Sequence, residues 1–127
     1  MTSSNFEIEV KDKYVVLRLL SEKLDGVISP ELKTHLVEIN SQGHQNIIID
    51  LAHTRYCDSS GLSAILVGNR LCKNTGGTFV ICQLQPMVMK LISISQLNNI
   101  LNITPTLQEA VDYVLMEIME KGMKDSE

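Results

Sequence analysis
A chain of 127 residues with a formal net charge of −4 is long enough to bury one hydrophobic core without staples, and its acidic balance argues against a basic nucleic-acid-binding stripe. Hydrophobic residues make up 44% of the chain and there is no Trp, an ordinary share for a globular domain. No apolar run approaches the ~20 residues that cross a bilayer.

Phe6, Ile8 and Val10 alternate with Glu7 and Glu9, the pattern of a half-exposed strand at a sheet edge. The polar turn Lys11-Asp12-Lys13 leads into a second, more buried strand, Tyr14 to Leu20. Ser29-Pro30-Glu31 reads as a helix start, with a capping serine and a proline whose missing N–H costs nothing there. Leu32, Leu36 and Ile39 give that helix one apolar face, and Ser41-Gln42-Gly43 ends it. Asn46 to Leu51 is a nearly unbroken apolar run, expected of a strand covered on both faces. Leu62, Ile65 and Leu66 recur at helical spacing, which predicts a helix from Ser60 to about Asn74, closed by Gly76-Gly77. Thr78 to Cys82 is a third buried strand, Pro86 opens a short helix carrying Val88, Leu91 and Ile92, and Asn99 to Ile103 makes a last strand. Thr106 with Glu109 forms a capping box for the closing amphipathic helix, and Lys121 to Glu127 is a charged tail with little to bury. Met1-Thr2-Ser3-Ser4-Asn5 has neither the basic start nor the apolar core of a signal peptide. Three cysteines without a Cys-x-x-Cys pair fit reduced thiols, so the expected setting is the cytoplasm.

Strands alternating with helices imply parallel strands joined by right-handed crossovers. The loops that follow strand C-termini then share one edge of the sheet, where open α/β folds tend to place function. Asp25 to Ser29 follows the second strand and His53 to Ser60 follows the third, so the two segments should converge.

The second of them runs into Asp58-Ser59-Ser60-Gly61-Leu62, two hydroxyls where a buried strand hands over to a helix. One reading makes Ser59 or Ser60 a plain helix cap. The other makes Ser59 a phosphoacceptor, whose phosphate would meet unpaired amides and the positive end of the helix dipole. Asp58 either braces the loop through backbone amides or orients Ser59. Gly61, Ala64 and Gly68 fall on one stripe, where small side chains allow close packing on the sheet. Cys57, Cys72 and Cys82 read as small buried hydrophobes. His35, His44 and His53 lack metal-ligand spacing. No Gly-x-Ser-x-Gly elbow or Gly-rich phosphate loop is present, and a receiver-type aspartate pocket at Asp50 and Asp58 would lack its further acidic pair after the first strand. These features suit a substrate of kinases better than an enzyme.

Three blocks carry a family resemblance: Leu24-Asp25-Gly26 before a capped helix, Asp50-Leu51 with Cys57-Asp58-Ser59-Ser60-Gly61-Leu62, and Gly76-Gly77-Thr78-Phe79-Val80-Ile81-Cys82. With them the chain, roughly from Phe6 to Met119, resembles the bacterial anti-sigma factor antagonists, the prototypes of the STAS domain. Glu22-Lys23 stands where that family often has a glycine. The resemblance implies an α/β fold of one STAS-type domain over residues 1–120, with a mostly parallel sheet of about four to five strands, four helices and an N-terminal edge strand. It implies phosphorylation of Ser59, and a partner surface of Asp25, Gly26, Val27, Ile28, Asp58, Ser60, Gly61 and Leu62. The implied partners are an anti-sigma factor serine kinase with a histidine-kinase-like ATP fold and a metal-dependent serine phosphatase, with no direct nucleic-acid contact, no membrane insertion and no cofactor. The rival implication is a STAS adaptor subunit of a bacterial lipid-transport complex, which would dock through much the same edge.

Overall fold
The computed structural model describes residues 4–125. Strands β1 (Phe6–Val10) and β2 (Val15–Leu19) form an antiparallel hairpin with Phe6 opposite Leu19. Three further strands, β4 (Ile47–Asp50), β6 (Phe79–Cys82) and β7 (Asn102–Thr104), add in parallel to give the order β1-β2-β4-β6-β7. The alternating Phe6–Val10 segment is therefore an edge strand, and the two apolar runs lie in the interior. Between these strands the chain forms helices α1 (Ser29–Ser41), α2 (Ser59–Asn74) and α3 (Pro86–Ile94), and α4 (Leu107–Asp125) closes it.

Because side chains alternate along a strand, the sheet has two apolar faces. Leu17, Ile47, Ile49, Phe79 and Ile81 form one core with Leu36, Ile65 and Val88 of α1, α2 and α3. Val16, Ile48, Val80 and Cys82 form the other with Ala110 and Val114 of α4. Each fully buried Leu or Ile contributes about 1.5–3 kcal/mol, so the two layers together outweigh any single surface contact. At the N-terminal ends of the strands, Asn46 ties three of them together: its Nδ2 donates to Lys13 O (3.2 Å) and its Oδ1 accepts from Thr78 N (2.9 Å).

Four local features depart from the sequence pattern. The Asn99–Ile103 segment is not all strand; Leu97–Asn99 is a 3-10 turn, in which Ile100 N and Leu101 N both donate to Leu97 O, and pairing with β6 begins only at Asn102. Ser29 is not the cap of α1: Ile28 occupies that position, and the Ser29 hydroxyl donates back to Asp25 O. Helix α4 continues to Asp125, through the start of the segment read as a charged tail, with Lys121 Nζ donating to Gly76 O; Ser126 and Glu127 of that segment, and Met1 to Ser3 at the other end, lie outside the described residues. Finally, two short strands escape sequence reading altogether. β3 (Lys23–Leu24) and β5 (Tyr56–Cys57) pair in parallel as a separate two-stranded ribbon. A two-residue strand carries no detectable period.

Candidate functional site
The β3–β5 ribbon is what brings the two edge loops together. Glu22 O accepts from Arg55 N (2.8 Å) and Tyr56 N (3.0 Å), and Leu24 O accepts from Asp58 N (3.2 Å). Thr54, fully buried, adds a bond from its hydroxyl to Ser21 O (3.0 Å). On the far side the same loop is held by Gln85 Nε2, which donates to Ala52 O (2.7 Å). The Asp25–Ile28 loop and the start of α2 therefore lie against each other; a Cβ added at Gly26 would sit 3.7 Å from Ser60 Oγ.

At this edge one aspartate caps a helix and a second braces the loop that precedes one. Asp58 adopts an extended conformation (φ −110°, ψ −172°), and its Oδ1 accepts from Gly61 N at 3.1 Å. Ser59 and Ser60 are thus the first two helical residues and not caps; both are exposed, and among the described residues no side-chain hydrogen bond holds either hydroxyl. Their own amides belong to the first turn, which has no intrahelical acceptors. Asp25 instead braces the loop ahead of α1, its Oδ1 accepting from Val27 N (3.0 Å) and Ile28 N (3.2 Å), both before the first helical residue. Because an aspartate is the cap, Asp58→Ala is expected to lower stability by ~0.5–2 kcal/mol, read by denaturant unfolding. A Ser59→Ala protein should lose less, and the reverse order would make the serine the cap after all.

The remaining site residues divide by burial. Leu62 is buried in the core, and the half-buried Ile28 packs against the same core. Val27 does not tuck in; it is 82% exposed. Gly61 is pressed onto the ribbon: an added Cβ would lie 2.5 Å from Leu24 O and 2.6 Å from Cys57 Sγ. Gly68 likewise lies against the Phe79 ring, 2.5 Å from an added Cβ, and Ala64 between them is fully buried. The small-residue stripe is a packing device. Burial, helped for Cys57 by the Asp58 charge, pushes the thiols of Cys57, Cys72 and Cys82 up to about 12, which keeps them protonated and unreactive near neutrality. Asp50 is also spoken for. It is buried, ion-paired to Arg18 Nε (3.4 Å), and accepts from Gln83 Nε2 (2.9 Å) and Ala52 N (3.0 Å), so it is no open acceptor. His35 lies near Glu31 (3.2 Å) and edge-on to Phe6.

Two exposed apolar residues border this edge and were not evident in the sequence: Tyr56, on β5, and Met87, in the first turn of α3, which packs on β5. Their types alone suggest core. Only the ribbon, which turns Cys57 inward and Tyr56 out, shows otherwise.

Comparison with known proteins places this geometry among relatives. The family model of the STAS domain matches residues 5–110. The anti-sigma F factor antagonist of Paenibacillus polymyxa is 31% identical over 101 residues, covering 78% of this chain and 86% of that protein. Among solved structures, an anti-sigma-factor antagonist (STAS) domain protein from Planctomyces limnophilus aligns with a TM-score of 0.79 at 15% identity, over 87% of this chain and 97% of that one, a likeness of fold. The Bacillus cell fate determinant SpoIIAA in its phosphorylated form aligns with a TM-score of 0.67 at 26% identity, over 86% and 98% of the two chains.

Proposed function
The chain belongs to the STAS domain family, among the anti-sigma factor antagonists, and on that premise we propose that it acts in the cytoplasm by partner switching controlled at Ser59. In its unphosphorylated form it binds an anti-sigma factor that is itself a serine kinase, and so frees the sigma factor. Phosphorylation of Ser59 breaks that complex, and a metal-dependent serine phosphatase restores it. The observation that carries this reading is the division of labour at the head of α2. Asp58 supplies the cap, which leaves the exposed Ser59 hydroxyl uncommitted.

The physics of the switch follows from that position. A phosphoryl group adds about −1.5 to −2 charges at pH 7. At a helix N-terminus the fold itself tolerates it, since first-turn amides and the dipole favour an anion. A docked partner, in contrast, would have to desolvate the phosphate beside Asp58. The exposed Val27, in the loop that abuts Ser60, offers the apolar contact a partner would cover. Affinity changes and the domain stays folded.

The test is incubation with ATP and the kinase that copurifies with the protein. Tandem mass spectrometry should find one phosphate, on Ser59, and Ser59→Ala should accept none while still binding the kinase. A phosphate placed reproducibly on Ser60 would move the site by one residue. Recovery of a membrane transporter ATPase in place of a soluble kinase would overturn the switch in favour of an adaptor role.

A further inference from the structure
Helix α4 is apolar on two opposite sides. Inward, Ala110 and Val114 are buried against Val16, Ile48, Val80 and Cys82. Outward, Leu115, Met116, Met119 and Met123 are between 38% and 65% exposed, and helical spacing gathers them into one stripe. A helix apolar on both sides normally lies between two layers, and on its outer side this one meets solvent. The stripe is bordered by carboxylates. Glu109, Asp112 and Glu120 are exposed along it, with Asp112 also accepting from Gln108 Nε2 at 2.9 Å. From Leu107 to Met123 four carboxylates stand against one lysine.

We propose that the outward face of α4 docks a basic amphipathic helix from a partner protein. Such a helix would lay its apolar stripe on Met116 and Met119 and bring lysines or arginines to Asp112 and Glu120. Methionine side chains adapt to irregular apolar surfaces, which suits one helix packing on another. The sign of the charge selects the occupant. A second copy would oppose two acidic helices, and an anionic membrane surface would be repelled. Because α4 covers the sheet face opposite α1, α2 and α3, this surface is separate from Ser59 and both could be engaged at once.

The experiment titrates the full chain with a fluorescent leucine–lysine peptide of about 18 residues, long enough to form an amphipathic helix. A leucine–glutamate peptide of the same pattern serves as the comparison. Saturable binding of the basic peptide is expected, with the acidic one at least tenfold weaker. Met116→Ser combined with Met119→Ser should weaken binding roughly tenfold at an unchanged melting temperature, because both side chains are exposed. Glu109→Gln combined with Glu120→Gln should weaken it several-fold and flatten its salt dependence, while Ser59→Asp leaves it unchanged. Equal binding of the two peptides, no binding of either, or methionine variants that bind like wild type would overturn the proposal. So would a sedimenting dimer of the free protein that the methionine variants dissolve, since a second copy would then be the occupant. Flotation with anionic vesicles would overturn it too.

Discussion

Ser59→Asp is expected to bind the anti-sigma factor kinase roughly tenfold more weakly than wild type, and the phosphorylated protein roughly a hundredfold more weakly or worse, corresponding to about 1.4 and 2.7 kcal/mol. The order follows from charge. A carboxylate carries one negative charge, while a phosphate near neutrality carries up to about two and presents three acceptor oxygens. Both would sit at the first helical position, beside a cap residue that is itself anionic. Neither should move the melting temperature by more than a few degrees, because the helix start favours negative charge by ~0.3–1 kcal/mol. Substitutions at Val27 or Ile28 should impair the same interaction, since that loop lies against Ser60; changes at Glu117 or Glu120 on α4 should leave it intact. Calorimetric titration of the purified kinase with each variant gives the result. Wild-type affinity for Ser59→Asp together with loss of binding in the α4 variants would put the kinase on the other face of the sheet.

Gly61→Ala is expected to cost about 3 kcal/mol, at the upper end of overpacking penalties and a large part of the ~5–15 kcal/mol that holds a domain together. Alanine is the better helix former by ~1 kcal/mol, so propensity alone predicts the opposite sign. Geometry decides the matter. The new methyl would stand 2.5 Å from Leu24 O and 2.8 Å from Leu24 Cγ, and Leu24 cannot retreat without breaking its bond from Asp58 N. Gly26→Ala is the informative contrast, because its nearest neighbour lies at an ordinary 3.7 Å; it should stay within about 0.5 kcal/mol of wild type. Denaturant unfolding of the pair decides between them. Equal stability of Gly61→Ala and wild type would mean that the ribbon is not seated on α2.

The frame of the domain was legible because its main elements are long enough to show a period. The alternation of Phe6 to Val10, the apolar runs at Asn46 and Thr78, and the helical recurrence of Leu62, Ile65 and Leu66 each name one element. From these, parallel topology placed Asp25 and Ser59 on one edge. The choice of cap was not legible. Asp58, Ser59 and Ser60 are all good capping types, and which one takes the position depends on where the backbone leaves its extended conformation. That point is set by Asp58 N bonding to Leu24 O, across 34 positions of sequence. The same holds for the β3–β5 ribbon itself. Long-range main-chain bonds leave no mark on residue type.

That ribbon has an evolutionary consequence. Glu22, Leu24, Arg55, Tyr56 and Asp58 join the two loops through carbonyls and amides, groups that every residue except proline possesses. The geometry of the edge is therefore largely indifferent to what Lys23, Arg55 and Tyr56 carry as side chains. A lineage that duplicates such a domain can rewrite those side chains to suit a new partner without rebuilding the scaffold. Copies in one cell can thereby diverge into insulated channels, each answering to its own partner.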